Sequence, residues 1–547
     1  MTDYYDLITP RPEPYAHQIR IINGLIPTFK EEKCAALFMD VGTCKTKTIL
    51  DAAAILHVLG DIDSLLVVPP KSLNTSGTWR DQLEAHAAFP YSVITWDAQK
   101  STTLKWAKQF YEVLQFEGVR IFIVNVEAFS HTNKKLSDCI EAWTATHKTL
   151  GIVDESTSIK SSDSYRGVSI GGGIYRKKKI TGLNSKLKYR AIMTGTEFTT
   201  SPLDVYQQFE YLRPGFFGFK SSFLFKCHYA MLELKIQAAA KPYLEELGYK
   251  AKYINGTFDF DESDYIKKQN VIRMLQSKGF AFLDTIGYQN MKELQAKMAP
   301  VTFRAKKEEC LDLPDTIDEI LYVDLSPEQV RVYTDLKKSM MTTLESGELI
   351  TVEQKMTLFG KFRQIVGGTL IVEGNAQAFK DNPKLDMLVQ ELSDNEGQAI
   401  IWASFRQEIT AICERLEKEF GFGCTARYDG DTDDPEKEKN RFLNKTARFF
   451  VANPKKGGQG LNLQYNTSVQ YWYSFPVELE QWLQARGRTY RAGQTQKCVY
   501  RMLVSRFPEG AKNRDTVDAR VLSILTQKGE ILSQFQSGGL SDLVKLV

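Results

Sequence analysis

Short, almost wholly apolar runs, each followed by a turn signal or a helical stretch, recur in two separate regions of this 547-residue chain. CAALFMDV (34–41), SLLVVPP (64–70), RIFIVNV (120–126), TLGIVDE (149–155) and YRAIMTG (189–195) form the first series. QAIIWASF (398–405), ARFFVAN (447–453), SVQYWYSF (468–475) and CVYRMLV (498–504) form the second. Strands with no polar side are buried on both faces, and parallel strands need crossover helices to bring the chain back. The pattern predicts an α/β fold with parallel sheets in two lobes. A single hydrophobic core does not grow to this length, so two or more domains are required. We read a first lobe over 1–325 with a helical insertion at about 230–300, then a helical protrusion and linker over 326–378. A second lobe follows over 379–530, with a tail segment over 531–547.

Composition removes several classes. No apolar run approaches the roughly 20 residues that span a bilayer, so no membrane association is expected. The opening MTDYYDLITPRPEPY has no basic region followed by an apolar core, so secretion is not expected. Eight cysteines are scattered without a CxxC pair, which points to neither a zinc site nor a disulfide framework and fits a reducing, cytoplasmic setting. FDFDESD (258–264) lacks the glycine and terminal glutamate of a calcium loop and reads as a solvated turn. A net charge of +3 neither demands nor excludes nucleic acid. Locally, residues 160–190 hold nine Lys or Arg, Arg176, Lys177, Lys178 and Lys179 in a row, against the single acid Asp163. Such a glycine-containing basic loop offers phosphate contacts without an evident base-reading element, unless it is merely solvated.

Four segments carry chemistry. VGTCKTKT (41–48) follows a strand and opens a helical stretch. In that arrangement the backbone of Gly42, Thr43, Cys44, Lys45, Thr46 and Lys47 can cradle phosphates, Lys45 neutralises them, and the Thr46 hydroxyl meets magnesium. GIVDEST (151–157) delivers Asp154 and Glu155 at a strand end, one carboxylate for the metal and one to orient an attacking water. AIMTGT (191–196) places Thr194 and Thr196 about a glycine. KKGGQGLNL (455–463) precedes LEQWLQARGRTYRAGQ (479–494), where the spacing of Gln484, Arg488 and Arg491 puts them on one helical face if the helix runs that far. Each segment alone has a bland reading as a turn, a surface acid pair or a solvated basic helix. Their joint order across both series does not.

In that order the chain resembles the superfamily 2 helicase-like ATPases, and in detail the Swi/Snf-type double-stranded-DNA translocases, in a compact bacterial or phage-like form. FRAKKEECLDLP (303–314), VDLSPEQVRVY (323–333), KFRQIVGG (361–368), PKLDMLVQEL (383–392) and WASFRQEI (402–409) extend the likeness over nearly the whole chain. The resemblance implies two RecA-like lobes, ATP with Mg2+ in the cleft between them, and a monomeric motor on duplex DNA in a bacterial or phage-infected cytoplasm. It implies that Gln18, in PYAHQ, contacts adenine and that Lys45 and Thr46 bind phosphate and magnesium. Asp154 and Glu155 become the acidic pair of motif II, with Glu155 orienting water, and Arg488 and Arg491 complete the site beside Gly460 and Gln484. Lys71, Ser72 and Trp79, with Gly458 and Asn462 of the second lobe, are implied DNA contacts. The chain departs from the family at Cys44, where glycine is usual, at Glu197, where proline is usual, and at Ser156-Thr157. A strand-separating or RNA-directed helicase, or a weakly hydrolysing nucleotide- and DNA-binding scaffold, stays open at this level.

Overall fold

The structure, a computed structural model, describes residues 3–71, 73, 77–237, 240–254, 257–345, 352–372, 375–458 and 461–536. The first of two large sheets has seven strands, in spatial order Thr302–Ala305, Cys34–Met39, Tyr189–Thr194, Thr149–Asp154, Ser64–Val68, Val119–Ile123 and Tyr91–Thr95. The second has six, in the order Thr316–Asp324, Cys498–Arg506, Val469–Trp472, Ala399–Trp402, Phe449–Ala452 and Thr425–Tyr428. Every neighbouring pair in both sheets is parallel. These are the two RecA-like lobes that the alternation and the resemblance predict.

The inner strands explain why the pattern is readable. All residues of Cys34–Met39, Ser64–Val68 and Thr149–Asp154 are buried, because helices cover both faces. On one face Ile22, Leu25 and Phe29 of the Ala16–Glu32 helix and Ile49, Ala52 and Ile55 of the Lys45–Val58 helix pack on Leu37, Leu65 and Ile152. On the other, Phe38, Phe122, Trp143, Ile192 and Phe209 meet. Leu37 and Phe38 go to opposite faces because successive strand side chains alternate.

Strands at sheet edges escape a reading based on apolar runs. Tyr91–Thr95 is half-buried, so its run is broken by Ser92 and Thr95. Thr316–Asp324, at the edge of the second sheet, carries acids: Asp318 pairs with Arg486 at 2.8 Å and Glu319 with Arg501 at 2.9 Å. Because Thr316–Asp324 pairs along its length with Cys498–Arg506, the chain enters the second sheet by residue 316, and the expected boundary at 325 falls too late.

The insertion after residue 229 contains helices, Lys241–Glu246 and Tyr265–Ser277, but they sit on strands that the helical expectation missed. Ala230–Ile236 pairs antiparallel with Ala281–Tyr288, and Ala251–Ile254 with Thr257–Phe260, around a small core of Ile236, Leu244, Phe260, Ile272 and Leu275. Short ribbons exposed on one side have no continuous apolar run to reveal them. Within FDFDESD, Asp264 caps the Tyr265–Ser277 helix by accepting from the N–H groups of Ile266 and Lys267. The protrusion is helical at Pro327–Glu345 and Val352–Val366, before a hairpin of Thr369–Val372 with Asn375–Ala378. Only residues 531–536 of the expected tail fall among those described, and they continue the Val517–Gln536 helix.

Candidate active site between the lobes

After Met39 the chain turns through Gly42 at φ +96° and Cys44 at φ +63°, and the next helix starts at Lys45. The loop is pinned from the N-terminal side: His17 Nε2 lies 3.1 Å from the Thr43 carbonyl, and Gln18 Nε2 donates to Thr48 Oγ1 at 3.0 Å. Burial lowers the His17 pKa, with the bond to the Thr43 carbonyl opposing. Lys45 Nζ rests on the Met39 carbonyl at 2.8 Å, with half-buried Thr46 beside it on the first turn. A helix N-terminus, loop N–H groups and a lysine are the parts from which an anion site is built. Lys47 does not join it with its side chain. Its Nζ turns into the core and pairs with Asp51 at 2.6 Å, and Asp51 also accepts from Tyr5 Oη at 2.8 Å. A strand-to-helix loop read linearly cannot show which of two nearby lysines faces inward.

Cys44 occupies the left-handed region, where a Cβ costs about 1–2 kcal/mol relative to glycine. Its thiol is pushed up by burial, with Arg491, Lys47 and Lys45 opposing, so it is no reactive thiolate. Cys44→Gly removes the Cβ without changing the backbone path. The expected outcome is a lower apparent KM for ATP, or a higher turnover, in a steady-state titration. Rates at or below the parent with an unchanged KM would show that the side chain does not crowd the loop.

The carboxylates lie two strands away, with Tyr189–Thr194 between. Asp154 is held well above the usual carboxylate range by burial and by the charge of Glu155, with Lys45 opposing. Trp79 Nε1 donates to Asp154 Oδ2 at 2.9 Å, and the tryptophan is 2% exposed. The expectation that Trp79 touches DNA is therefore corrected: it orients Asp154 from inside the lobe. Glu155 has φ +47°, and Thr194 Oγ1 donates to its Oε2 at 3.1 Å. Thr194 Oγ1 also accepts from the Thr196 N–H at 3.1 Å, so the Thr-Gly-Thr turn aims the Glu155 side chain.

Across the cleft, the Leu479–Arg486 helix stops before Arg488 and Arg491, which lie on the turns that follow. The shared helical face is thus corrected. The amide of Gln470 donates to the Ala485 and Arg486 carbonyls, each at 3.2 Å, and Gly487 packs on Val41 of the first lobe. Convergence comes from the fold instead: Arg488 Nη1 and Arg491 Nη1 both reach the Leu461 carbonyl, at 2.8 and 3.2 Å. A Cβ built on Gly42 would stand 2.9 Å from Arg491 Cβ, so the second arginine lies directly over the first-lobe loop. Burial lowers the Arg488 pKa to about 9, with Arg491 adding to the shift and Glu155 opposing it.

Two further cleft residues carry no signal that the motif reading uses. Glu480 accepts from Thr157 Oγ1 of the other lobe at 2.7 Å and from Gln484 Nε2 at 3.0 Å. Burial and the charge of Glu155 raise its pKa. Its position four residues before Gln484, on the same helix face, could have found it. Lys307 sends its Nζ to the Tyr490 carbonyl at 2.8 Å, while its backbone N–H bonds Asp40 at 3.0 Å. Burial lowers its pKa to about 7, Asp40 opposing and Arg488, Arg491 and Lys45 adding to the shift. Nothing local distinguishes it from Lys306.

Of the remaining expected site residues, Asn462 and Lys71 are exposed, whereas Gly458 is buried, where a Cβ would stand 2.3 Å from the Pro454 carbonyl oxygen. Gly458 is required for packing there and offers no surface to DNA. Gly460 and Ser72 lie outside the described residues. The basic loop is an ordered hairpin, Gly173–Tyr175 with Lys178–Ile180, turned by Arg176 at φ +47° and Lys177 at φ +67°. Arg176, Lys177, Lys178 and Lys179 are all exposed, and Tyr175 packs on Tyr165 at the start of the Tyr165–Gly171 helix with ring centroids 5.3 Å apart. Among the described residues no cluster of three His, Cys, Asp or Glu could hold a metal by itself, and no helix is long and apolar enough to cross a membrane.

A phosphate-type loop on one parallel-sheet lobe, faced by two arginines from another, defines a two-lobed helicase-like nucleotide-binding protein. The model of the SNF2-related domain matches residues 17–367, and that of the helicase conserved C-terminal domain matches residues 383–493. The chain belongs to the SNF2-related family. An uncharacterized ATP-dependent helicase of Mycoplasma genitalium is 25% identical over 279 residues, 47% of this chain and 25% of that protein. The CHD3-type chromatin-remodeling factor PICKLE of Arabidopsis thaliana is 24% identical over 282 residues, 47% of this chain and 19% of that protein. The matches thus span a quarter or less of these relatives. Among solved structures, the Sulfolobus solfataricus SWI2/SNF2 ATPase core in complex with double-stranded DNA aligns at 18% identity and a TM-score of 0.36, over 97% of this chain and 95% of that one.

Proposed function

We propose that the chain is an ATP hydrolase that couples turnover to movement along double-stranded DNA. The observation that carries the reading is the meeting of Lys45, Asp154 and Glu155 with Arg488 and Arg491 in one cleft between two lobes. ATP lies with its phosphates on the 42–46 loop, and Lys45 leaves the Met39 carbonyl to meet them. The segment of His17 and Gln18, already bonded to the loop, takes the base side. Glu155, aimed by Thr194, holds the water that attacks the γ-phosphorus as the bond to the β-phosphate breaks. Arg488 and Arg491 meet the charge that grows on the transferred group, and such residues contribute about 10³–10⁵ in rate in related systems.

Asp154 and Thr46 fit a magnesium ion. A buried carboxylate whose charge is disfavoured beside Glu155 is what a divalent cation stabilises, and this metal takes one or two protein oxygens together with substrate phosphates. Bound there, it would neutralise phosphate charge and favour departure of the ADP.

Turnover alone and with duplex DNA, single strands or RNA tests the reading. Duplex DNA is expected to stimulate most, with little sequence preference. Equal stimulation by RNA would move the substrate to RNA, and absence of turnover would leave a nucleotide-binding scaffold. The 173–180 hairpin supports a phosphate track, because it presents four exposed cations side by side at one turn. Neutralising Arg176, Lys177, Lys178 and Lys179 together is expected to weaken DNA binding. It should also flatten the salt dependence of affinity by roughly one unit of slope per lost contact. An unchanged slope in a variant with the parent's melting temperature would place the track elsewhere.

A further inference from the structure

Glu197 directly follows the Thr-Gly-Thr turn and is fully buried, yet it carries a carboxylate. Arg304 meets it with two donors, Nε to Oε1 at 2.6 Å and Nη2 to Oε2 at 3.1 Å. Burial raises the Glu197 pKa and the Arg304 guanidinium opposes the rise. An apolar side chain of similar volume would fill the Glu197 place with no charge to desolvate, so a fully buried carboxylate held by a half-buried arginine is poorly explained by stability alone.

Its position suggests a use. On one side, Thr194 holds Glu155, and Gln208 ties the two strand-end loops together. The Gln208 amide donates to the Glu197 carbonyl at 2.9 Å, and its oxygen accepts from Ser156 Oγ at 2.6 Å. On the other side, Arg304 belongs to the Thr302–Ala305 strand, paired in register with Phe38 beside the phosphate loop. Three residues later Lys307 bonds Asp40 of that loop and the Tyr490 carbonyl of the second lobe, next to Arg491. Beyond it the chain crosses into the second sheet at Thr316. A path of hydrogen bonds and short backbone steps thus joins Glu155 to the second lobe by way of the phosphate-loop side, beside the direct contact of Thr157 with Glu480, and the Glu197–Arg304 pair is the side-chain link in its middle.

We propose that Glu197 and Arg304 are positioning residues that transmit the state of the nucleotide site to the second lobe, acting through Lys307 on Tyr490 and Arg491. This rests on the ATPase reading above and adds the means by which turnover and lobe movement stay in step. Glu197→Gln keeps the shape and the carbonyl bond to Gln208 but removes the charge that holds Arg304. Basal turnover and the apparent KM for ATP are expected to stay within about threefold of the parent, while the ratio of duplex-stimulated to basal turnover falls about tenfold. Arg304→Lys, which keeps the charge and loses the paired donors, should fall between the two. The double variant Glu197→Gln/Arg304→Gln should be no worse than the first alone, as coupled residues require.

Hydrogen exchange over residues 306–315, with and without the non-hydrolysable analogue AMP-PNP, gives a readout that needs no turnover. The parent should gain protection there on binding the analogue, and Glu197→Gln should not. Stimulation retained in full by folded Glu197→Gln overturns the proposal, as does an equal fall in basal and stimulated rates, which marks a merely structural pair. Should Glu197→Gln fail to fold, Arg304→Lys takes its place in both measurements, and the same outcomes support or overturn the proposal. A parent that protects 306–315 on binding AMP-PNP but hydrolyses no ATP would defeat the ATPase reading and leave the strut standing. A parent whose 306–315 segment ignores the analogue defeats the strut whatever its turnover.

Discussion

Lys45→Ala and Glu155→Gln are each expected to lower ATP turnover by about a hundredfold or more while the fold stays intact. Lys45 is half-buried, and its Nζ bonds backbone, the Met39 and Asp40 carbonyls at 2.8 and 3.5 Å, so its loss breaks no ion pair among the described residues. The loop itself is shaped by Gly42 and Cys44, whose backbone angles do not depend on the lysine. What disappears is the mobile charge that meets the phosphates, so both binding and turnover suffer. Glu155→Gln separates the two. The amide oxygen can still accept from Thr194 Oγ1, now 3.1 Å away, so the side chain keeps its aim. It no longer carries the charge that draws a proton from the attacking water, so ATP affinity should survive and turnover should not. Phosphate release and fluorescent-nucleotide binding, measured beside melting temperature, check both variants. Near-normal turnover in either folded protein would remove that residue from the mechanism.

Arg488→Ala is expected to reduce turnover by about a thousandfold, with a smaller change in the KM for ATP. The residue is 5% exposed and its guanidinium bonds backbone, the Gln484 carbonyl at 3.0 Å and the Leu461 carbonyl at 2.8 Å. Among the described residues no carboxylate stands close enough to pair with it, and the charge lies in the field of Glu155 across the cleft. A buried cation held by carbonyls is poised for an anion, which on the proposed mechanism the γ-phosphate would supply. Arg488→Lys should recover little of the rate, because an ammonium cannot reproduce the planar fork of donors. Leu461 would keep its bond from Arg491, so the loop should hold its shape. Single-turnover rates at saturating ATP are the measurement. A rate within a few-fold of the parent, in a protein that melts normally, would show that Arg491 alone faces the phosphate.

The candidate site is legible in the sequence wherever its chemistry is local. Lys45 and Thr46 stand at a strand-to-helix turn, and Asp154 and Glu155 at a strand end, in a few consecutive residues that the backbone itself places. The arginines are legible as a spacing but for a different reason: the helix ends at Arg486, and tertiary contacts of the following turns bring both to Leu461. Trp79 misleads because its partner, Asp154, is 75 residues away in the chain. Lys47 misleads because only the packing of Tyr5 and Asp51 turns it from the loop.

The sequence by itself determined the α/β class, the two lobes and the inner strands. Burial on both faces forces continuous apolar runs, and crossover helices force their spacing. It also determined the order of the phosphate loop, the acidic pair and the paired arginines. The tertiary structure alone decided the acidic and half-buried edge strands, the strands under the insertion, and the early crossing into the second sheet. It alone brought Glu480 to Thr157, Lys307 to Tyr490 and Arg304 to Glu197. For these three charged pairings the physical reason is common: an apolar side chain announces its burial by its own chemistry, whereas a charged one is buried where the fold supplies a compensating partner, and here that partner lies far off in sequence.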